Sequence, residues 1–190
     1  MRIRPLAVEG AVEFSPPVHG DARGVFVSPY QEPAFVETVG HPLAVVQTNQ
    51  NRSAAGVVRG VHYVADPPGQ EKFVHCVRGR ALDVVVDLRE GSPTFGRWDV
   101  VEMDDVAFRG LYFPAGTGHA FRALTDDTVM SYLVTTNYDP ELERTVHPLD
   151  PELALPWTGG PAPVLSARDR DAPMLRDAAA AGLLPAHHRP

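Results

Sequence analysis

The sequence predicts an all-β fold, a sandwich or barrel of short strands with few helices. Proline and glycine, 19 and 16 of the 190 residues, interrupt the chain throughout. The stretches between these turn signals are short and rich in Val, Phe, Tyr and Thr, which favour strands. Nine such stretches follow one another along the chain. Many short strands separated by turns are typical of a sandwich or barrel.

Glycine, proline or aspartate lies next to the ends of most of the predicted strands. In chain order these strands cover residues 24–30, 43–50, 57–64, 71–77, 81–88, 98–103, 110–113, 120–124 and 129–135. Helix signals occur only twice. One helix is expected over 33–39, where Pro33 stands in the first turn and Gly40 follows the end, and another over 172–181, closed by Gly182. Both helices are short and are expected at the periphery of the sheets.

Length and composition limit the class of protein. A chain of 190 residues is long enough for one well-buried core, and no shift in composition marks a second domain, so a single domain over 1–190 is expected. The formal net charge is −7 and Lys and Arg form no block, which argues against nucleic acid or an anionic membrane as the partner. No apolar run approaches the roughly 20 residues of a membrane helix.

The cysteine content and the start of the chain suggest a cellular compartment. Cys76 is the only cysteine, so no internal disulfide is possible, and a buried structural thiol is its expected role. The first residues lack the apolar core of a secretory signal. The cytoplasm is therefore the expected compartment. Residues 185–190 are expected to form a frayed tail.

Two local predictions concern the faces of the strands. If Arg78 and Gly79 form a two-residue hairpin turn, Lys72 and Asp83 share a face and are diagonal neighbours. Arg59 and His62 lie three residues apart and would point to opposite faces of a regular strand. A common pocket for them requires a bulge, which the intervening Gly60 permits.

Several polar residues lie inside predicted strands, where burial is costly unless a partner is present. His62 suits a general base, and the alternative is a hydrogen-bonded core histidine. Lys72 either faces an anion or is an edge-strand lysine that discourages aggregation. Tyr132 alternates with Met130 and Val134 as a core aromatic residue would, but its hydroxyl needs a partner.

His119 raises the question of a metal. It lies in the segment PAGTGHAF, which resembles the second metal motif of cupins. The first cupin motif, HxH with a following Glu, is absent, and zinc or iron needs three or more ligands at suitable spacing. No metal or other cofactor is therefore expected. Neither a GxGxxG nor a P-loop motif occurs, so phosphates would have to be held by side chains, for which Arg23 and Arg59 are candidates.

Eight ordered segments together resemble one known family. They are GDARGVF at 20–26, QTN at 47–49, VVRGVHY at 57–63, QEKFVHCVRG at 70–79, LDVVVDLREGSPTFGRW at 82–98, FPAGTGHAF at 113–121, YLVTTNYDPELE at 132–143 and LSARDRDAP at 165–173. The segments are similar to those of the dTDP-4-dehydrorhamnose 3,5-epimerase family, whose members isomerise nucleotide-linked 4-keto-6-deoxy sugars. The resemblance runs nearly end to end.

This resemblance implies a cupin-type jelly roll (a double-stranded β-helix), a homodimer and an epimerase that uses no metal. It implies that His62 removes the proton α to the ketone and that Asp169 orients it. Tyr132 would reprotonate the opposite face, and Lys72 would stabilise the enolate oxygen. The residues that would bind the dTDP-linked 4-keto-6-deoxy sugar are Arg23, Gln47, Thr48, Asn49, Arg59, His119, Tyr138, Glu143 and Arg168.

The carbon that is inverted stays open, because double C3 and C5 epimerases and single C3 or C5 epimerases of antibiotic pathways share the same base and acid. The chain departs from the family pattern at four positions that bear on how the sugar is held: Ser28, Val64, His75 and Ala120. Three alternatives are a ketoisomerase that moves the carbonyl from C4 to C3, a sugar-nucleotide binding module without catalysis, and a metal-dependent cupin enzyme.

Overall fold

The structure, a computed structural model, describes residues 1–65, 67, 69–157 and 160–188. Its strands are β1 (Arg2–Pro5), β2 (Val12–Ser15), β3 (Val18–Asp21), β4 (Gly24–Val27), β5 (Gln47–Ser53), β6 (Val58–Val64), β7 (Lys72–Arg78), β8 (Arg80–Asp87), β9 (Trp98–Asp104), β10 (Gly110–Phe113), β11 (Thr117–Ala123), β12 (Thr128–Val134) and β13 (Glu143–Thr145). Its helices are α1 (Glu32–Val39), α2 (Ala167–Arg170) and α3 (Leu175–Ala180). No helix in these ranges is long and apolar enough to span a membrane.

The strands form two facing antiparallel sheets and a separate hairpin. One sheet has the order β1-β2-β10-β7-β12-β5, and the other has the order β13-β6-β11-β8-β9. Among the described residues, the strands β3 and β4 pair only with each other. Neighbours in both sheets come from distant parts of the sequence, as in a cupin-type jelly roll. The predicted all-β fold class with a few short peripheral helices is confirmed.

The main core lies between the two sheets. The β8 strand shows how the sequence builds it, because its run of apolar residues is buried on both faces. Ala81 and Val85 pack against residues of the opposite sheet such as Val74. Val84 and Val86 point the other way and pack under the C-terminal segment. A strand covered on both faces needs a continuous apolar run instead of an alternating one.

The outer faces of the two sheets are covered by different segments. Leu153, Leu175 and Leu184 cover the outer face of the five-stranded sheet. Phe35 of α1 packs on the six-stranded sheet against Phe73. Neither segment closes the space between the two sheets, and a cavity opens there.

The predicted hairpin between β7 and β8 is wrong. The β7 strand pairs with β10 and β12, whereas β8 pairs with β11 and β9. The turn at Gly79, which has φ +81°, therefore carries the chain from one sheet to the other. Lys72 and Asp83 are consequently not diagonal neighbours on one sheet. Val74 of β7 and Val85 of β8 nevertheless belong to the same core, because the two strands face each other across it.

The element boundaries differ from the predictions in a few places. Strands β1, β2, β3 and β13 and helix α2 were not expected, and the strand predicted over 43–50 begins only at Gln47. The tail is not frayed as far as the structure describes it. The carbonyl of Pro185 accepts from the Glu90 amide, and the His187 amide donates to the Glu90 carbonyl. Residues 189–190 lie outside the described residues.

Candidate active site

A cavity of about 260 Å³ opens between the two sheets. Seven predicted site residues line it: Asn49, Arg59, His62, Lys72, His119, Tyr132 and Glu143. The six-stranded sheet contributes Asn49, Lys72 and Tyr132, and the other four come from the five-stranded sheet. The predicted acid Tyr132 and the predicted cation Lys72 therefore lie on one wall of the cavity, and the predicted base His62 lies on the other.

A bulge at Gly60 brings Arg59 and His62 to the same cavity. His62 pairs with His119, and Arg59 pairs with Phe121, so three steps along β6 oppose two steps along β11. Gly60 has φ +120°, and a Cβ atom there would lie 2.5 Å from the His119 carbonyl oxygen. Only glycine fits this conformation and this close approach. The bulge predicted from the sequence is confirmed.

His62 is hydrogen-bonded to a buried carboxylate. Its Nε2 atom lies 2.6 Å from Oδ1 of Asp169, a residue of α2 that is 107 positions away in the sequence. Ser166 caps this helix by accepting from the Asp169 amide. Burial opposes ionisation of Asp169, but the hydrogen bond and charge of His62, with smaller contributions from the Ser166 hydroxyl and the Arg168 charge, outweigh it and hold the pKa of the carboxyl below its usual value. When Nε2 donates to Asp169, Nδ1 of the same ring is left as a proton acceptor.

Lys72 lies on the central strand β7 and is only 7% exposed. Burial lowers the pKa of its ammonium group to about 8, and the nearby charge of Glu143 offsets part of this effect. No carboxylate in the described part of the chain lies within ion-pair distance of its Nζ atom. The alternative that Lys72 is an edge-strand lysine is excluded, because β7 lies between β10 and β12. The result is a buried cation at the cavity, suited to meeting negative charge on a ligand.

Tyr132 lies on the opposite sheet from His62. Its hydroxyl oxygen accepts a hydrogen bond of 2.7 Å from Nδ2 of Asn51. Burial, with a contribution from the charge of Asp83, raises the pKa of the Tyr132 phenol above its usual value. The phenol therefore keeps its proton at neutral pH. The ring packs against the core as expected of a core aromatic, while the residue also lines the cavity.

His119 is paired with Asp83, which is fully buried. The His119 Nε2 atom lies 2.9 Å from Asp83 Oδ1, and the two rings of His119 and Tyr132 are 5.3 Å apart. Burial raises the pKa of Asp83, although His119 partly opposes the shift. For the metal alternative, the described residues contain no group of three or more His, Cys, Asp or Glu side chains arranged to hold an ion.

Other predicted binding residues lie at the rim of the cavity. Gln47 donates from Nε2 to Oδ1 of Asn49 at 2.6 Å, and its Oε1 accepts from the backbone amide of Tyr138 at 3.0 Å. Arg168 approaches the cavity through Glu143, with 3.9 Å between Nη2 and Oε2. These contacts join β5, the segment after β12 and α2 around one opening.

Two predicted binding residues do not reach the cavity of their own chain. Thr48 is paired in register with Leu133, whose side chain packs on the outer face of the sheet, so Thr48 lies on the face opposite to Asn49. Arg23 lies in the β3–β4 hairpin, where its exposed guanidinium binds Asp21 at 2.6 Å. Strand alternation explains the position of Thr48, since successive residues point to opposite faces.

Sequence reasoning missed five residues that line the cavity: Gln50, Asn51, Gln70, Phe121 and Val134. Asn51 is the most informative of these because it contacts Tyr132. A signal for it exists in the sequence of β5, QTNQNRS, in which every second residue from Gln47 is polar and the strand carries no apolar residue. A strand without apolar residues beside a core is a sign of a polar inner face.

The profile of the dTDP-4-dehydrorhamnose 3,5-epimerase family matches residues 5–177. The chain belongs to this family. The resemblance inferred from the sequence segments is thereby confirmed, and so is the expectation of a carbohydrate epimerase at the level of the family.

Three proteins of known activity are similar to this chain over nearly its whole length. It is 51% identical over 187 residues to a dTDP-4-dehydrorhamnose 3-epimerase of Streptomyces niveus, covering 98% of this chain and 90% of the relative. The crystal structure of NovW, a 4-keto-6-deoxy sugar epimerase from the novobiocin gene cluster of Streptomyces spheroides, matches with a TM-score of 0.96 and 51% identity, covering 98% of this chain and 94% of that one. ChmJ, a 3′-monoepimerase of Streptomyces bikiniensis solved with dTDP-quinovose, matches with a TM-score of 0.92 and 46% identity, covering 96% and 92%.

Proposed function

We propose that this protein is an epimerase that inverts C3 of a dTDP-linked 4-keto-6-deoxyhexose. The observation that carries the proposal is that an imidazole, His62, and a protonated phenol, Tyr132, line one cavity from opposite sheets. Epimerisation beside a carbonyl needs a base on one face of the sugar and an acid on the other. C3 is the carbon shared by the family description and by the relatives whose names specify a carbon.

In the proposed reaction, Nδ1 of His62 removes the proton at C3 while its Nε2–H stays hydrogen-bonded to Asp169. The electrons of the broken C–H bond move into the carbonyl group and form an enolate. The buried ammonium of Lys72 stabilises the negative charge on the enolate oxygen. The enolate then takes the phenol proton of Tyr132 on its other face, which restores the ketone with inverted configuration. Solvent reprotonates the phenolate and takes up the proton that His62 removed, so both groups return to their starting states.

The nucleotide diphosphate is proposed to lie toward the rim. Arg59 offers a guanidinium at the cavity, and its Nε donates to Ser53, which leaves the Nη groups for phosphate oxygens. Gln47, Asn49 and Tyr138 form the hydrogen-bonded rim described above and are proposed to hold the nucleotide. His119 and Glu143 are proposed to bind the sugar.

A homodimer is proposed to complete the site. The β3–β4 hairpin carries Val25 and Phe26, which are 62% and 70% exposed, and exposed apolar pairs of this kind mark interaction surfaces. Arg23 lies on the same hairpin and outside the cavity of its own chain. We propose that each hairpin packs on a second copy and that its Arg23 reaches the diphosphate bound in the site of that second copy.

A cytoplasmic location is proposed because Cys76 is a buried free thiol.

Incubation of the protein with a dTDP-4-keto-6-deoxyhexose in D₂O tests the activity. We expect deuterium at C3 of the product by NMR, and none with the His62→Asn variant. Deuterium at both C3 and C5 would indicate a double epimerase, and a carbonyl moved to C3 would indicate a ketoisomerase. Tight dTDP binding with no deuterium at C3 or C5 would refute the proposed epimerisation and favour a binding module.

A further inference from the structure

The inner face of β5 is polar although it borders the core. Asn51 pairs in register with Met130 and Ser53 with Thr128, and Met130 belongs to the core between the sheets. Asn51 and Ser53 therefore point inward. Polar groups in such a position need hydrogen-bond partners, because an unpaired buried donor or acceptor destabilises the fold.

These partners form a chain of hydrogen bonds that runs from Arg59 to Tyr132. The Nε atom of Arg59 can only donate, and it donates to Oγ of Ser53 at 3.1 Å. The hydroxyl of Ser53 then donates its own hydrogen to Oδ1 of Asn51 at 3.3 Å. This contact sets the orientation of the Asn51 amide and turns its Nδ2 group toward the Tyr132 oxygen, 2.7 Å away. All three hydrogen bonds are donated in the direction of Tyr132.

The direction of the chain has a consequence for the phenol proton. Because the Tyr132 oxygen accepts from Asn51, its own O–H bond cannot point at Asn51. A phenol O–H lies in the plane of its ring and has two orientations. The hydrogen bond from Asn51 disfavours the orientation that points toward Nδ2, so the proton takes the orientation that points away from Asn51.

We propose that Asn51 is a positioning residue that directs the proton of Tyr132 into the cavity, toward the carbon that is to be reprotonated. The inference rests on the proposed function of Tyr132 as the acid. The chain also links this acid to Arg59, which lines the same cavity. Asn51 itself transfers no proton, since the amide keeps its hydrogens throughout.

The first test is Asn51→Leu, which removes both the donor and the acceptor at similar side-chain volume. We expect epimer formation to fall by about tenfold or more, since a positioned acid typically contributes 10²- to 10⁴-fold. Deuterium exchange into the recovered starting sugar requires His62 and Lys72 but not Tyr132, and we expect it to stay within about threefold. KM should change little. The matched control is Arg52→Gln, which alters the exposed neighbour on the outer face of β5 and should leave both rates unchanged.

A second test uses the pH dependence of Asn51→Asp. An ionised carboxyl at this position can only accept, so it should draw the Tyr132 proton away from the cavity and suppress epimer formation. Once protonated, the same carboxyl can donate to the phenol oxygen. We therefore expect the rate of Asn51→Asp relative to the unmodified protein to rise as the pH falls, whereas the same ratio for Asn51→Leu should be flat.

The outcomes separate this inference from the proposed function. No exchange in the unmodified protein would remove the proposed epimerase activity itself. Equal losses of exchange and epimer formation in Asn51→Leu, or losses below threefold in both, would overturn the positioning role. A flat pH ratio for Asn51→Asp would overturn it as well. If Asn51→Leu does not fold, Ser53→Ala replaces it, because it frees the Asn51 amide to rotate and should lower epimer formation severalfold with exchange retained.

Discussion

The Nε2 atom of His62 lies 2.6 Å from Oδ1 of Asp169, and the carboxylate is buried while the histidine is accessible from the cavity. A buried carboxylate in this position selects the ring tautomer and stabilises the imidazolium that forms when the base takes a proton. The pair therefore makes His62 a base with a defined free nitrogen.

The first prediction concerns Asp169→Asn. An amide keeps the shape of the side chain but can donate to Nε2, which would favour the wrong ring tautomer and leave Nδ1 protonated. We expect deuterium exchange at C3 to fall by about 10²- to 10⁴-fold. Exchange is measured by NMR at saturating substrate, with dTDP affinity as the control that should not change. Exchange within a factor of three of the unmodified protein would contradict a catalytic role for this pair.

The second prediction concerns the alkaline limb of activity. Burial lowers the pKa of Lys72 to about 8, so the side chain is cationic below this pH and neutral above it. If the cation stabilises the enolate, kcat/KM should fall as the pH rises through about 8, because kcat/KM reports the free enzyme. Lys72→Arg keeps the charge at high pH and should lack this limb in whatever activity it retains. A constant kcat/KM between pH 7 and 9 in the unmodified protein would rule out the proposed role of Lys72.

The third prediction is that Lys72→Met stabilises the protein while it abolishes turnover. The pKa of Lys72 is lower in the folded state than its ordinary value of 10.5, so burial of the charged form opposes folding at pH 7, by roughly 3 kcal/mol. Met fills similar volume without charge. The unfolded state binds more protons between pH 8 and 10.5, so the unmodified protein should gain stability across that window and the advantage of the variant should shrink. Denaturant unfolding at pH 7 and 10 measures this difference, and a less stable variant at pH 7 would contradict the prediction.

The fourth prediction concerns the bulge. In Gly60→Ala the new Cβ would lie 2.5 Å from the His119 carbonyl oxygen, at a backbone φ of +120°. We expect a loss of more than about 3 kcal/mol in the free energy of unfolding, because both backbone strain and the clash contribute. Gly91→Ala is the matched control. Gly91 has φ +87° and nothing within 4 Å of the added atom, so it should lose only about 1 kcal/mol. Similar losses in the two variants would mean that the β6–β11 contact tolerates a side chain.

The fifth prediction tests the proposed dimer by mixing inactive variants. Arg23→Ala should lack the arginine that reaches the other copy, and His62→Asn should lack the base. A mixed dimer contains one site with an intact His62 and the partner's Arg23, so activity should appear on mixing. Phe26→Ser in both chains should abolish this gain by weakening the interface, while Val106→Ser, at an apolar residue that is 74% exposed elsewhere, should not. Absence of any gain on mixing would place Arg23 outside the site.

Much of the site could be predicted because its residues interrupt recognisable segments. His62, Lys72, His119 and Tyr132 each stand in a strand-like run, and the structure brings all four to one cavity. Asn51 could not be predicted in the same way. The polar composition of β5 indicates a polar inner face, but the contact of Asn51 with Tyr132 depends on the pairing of β5 with β12, and pairing between distant strands leaves little trace in the local sequence.

The sequence by itself determined the family, the all-β class and the alternation that sends each strand residue to one face or the other. The tertiary structure decided which faces meet. It put β7 and β8 into opposite sheets, brought Asp169 to His62, and left Arg23 outside its own cavity. The physical reason is that side-chain alternation follows from the covalent geometry of a strand, whereas the choice of neighbouring strand depends on the packing of the whole chain.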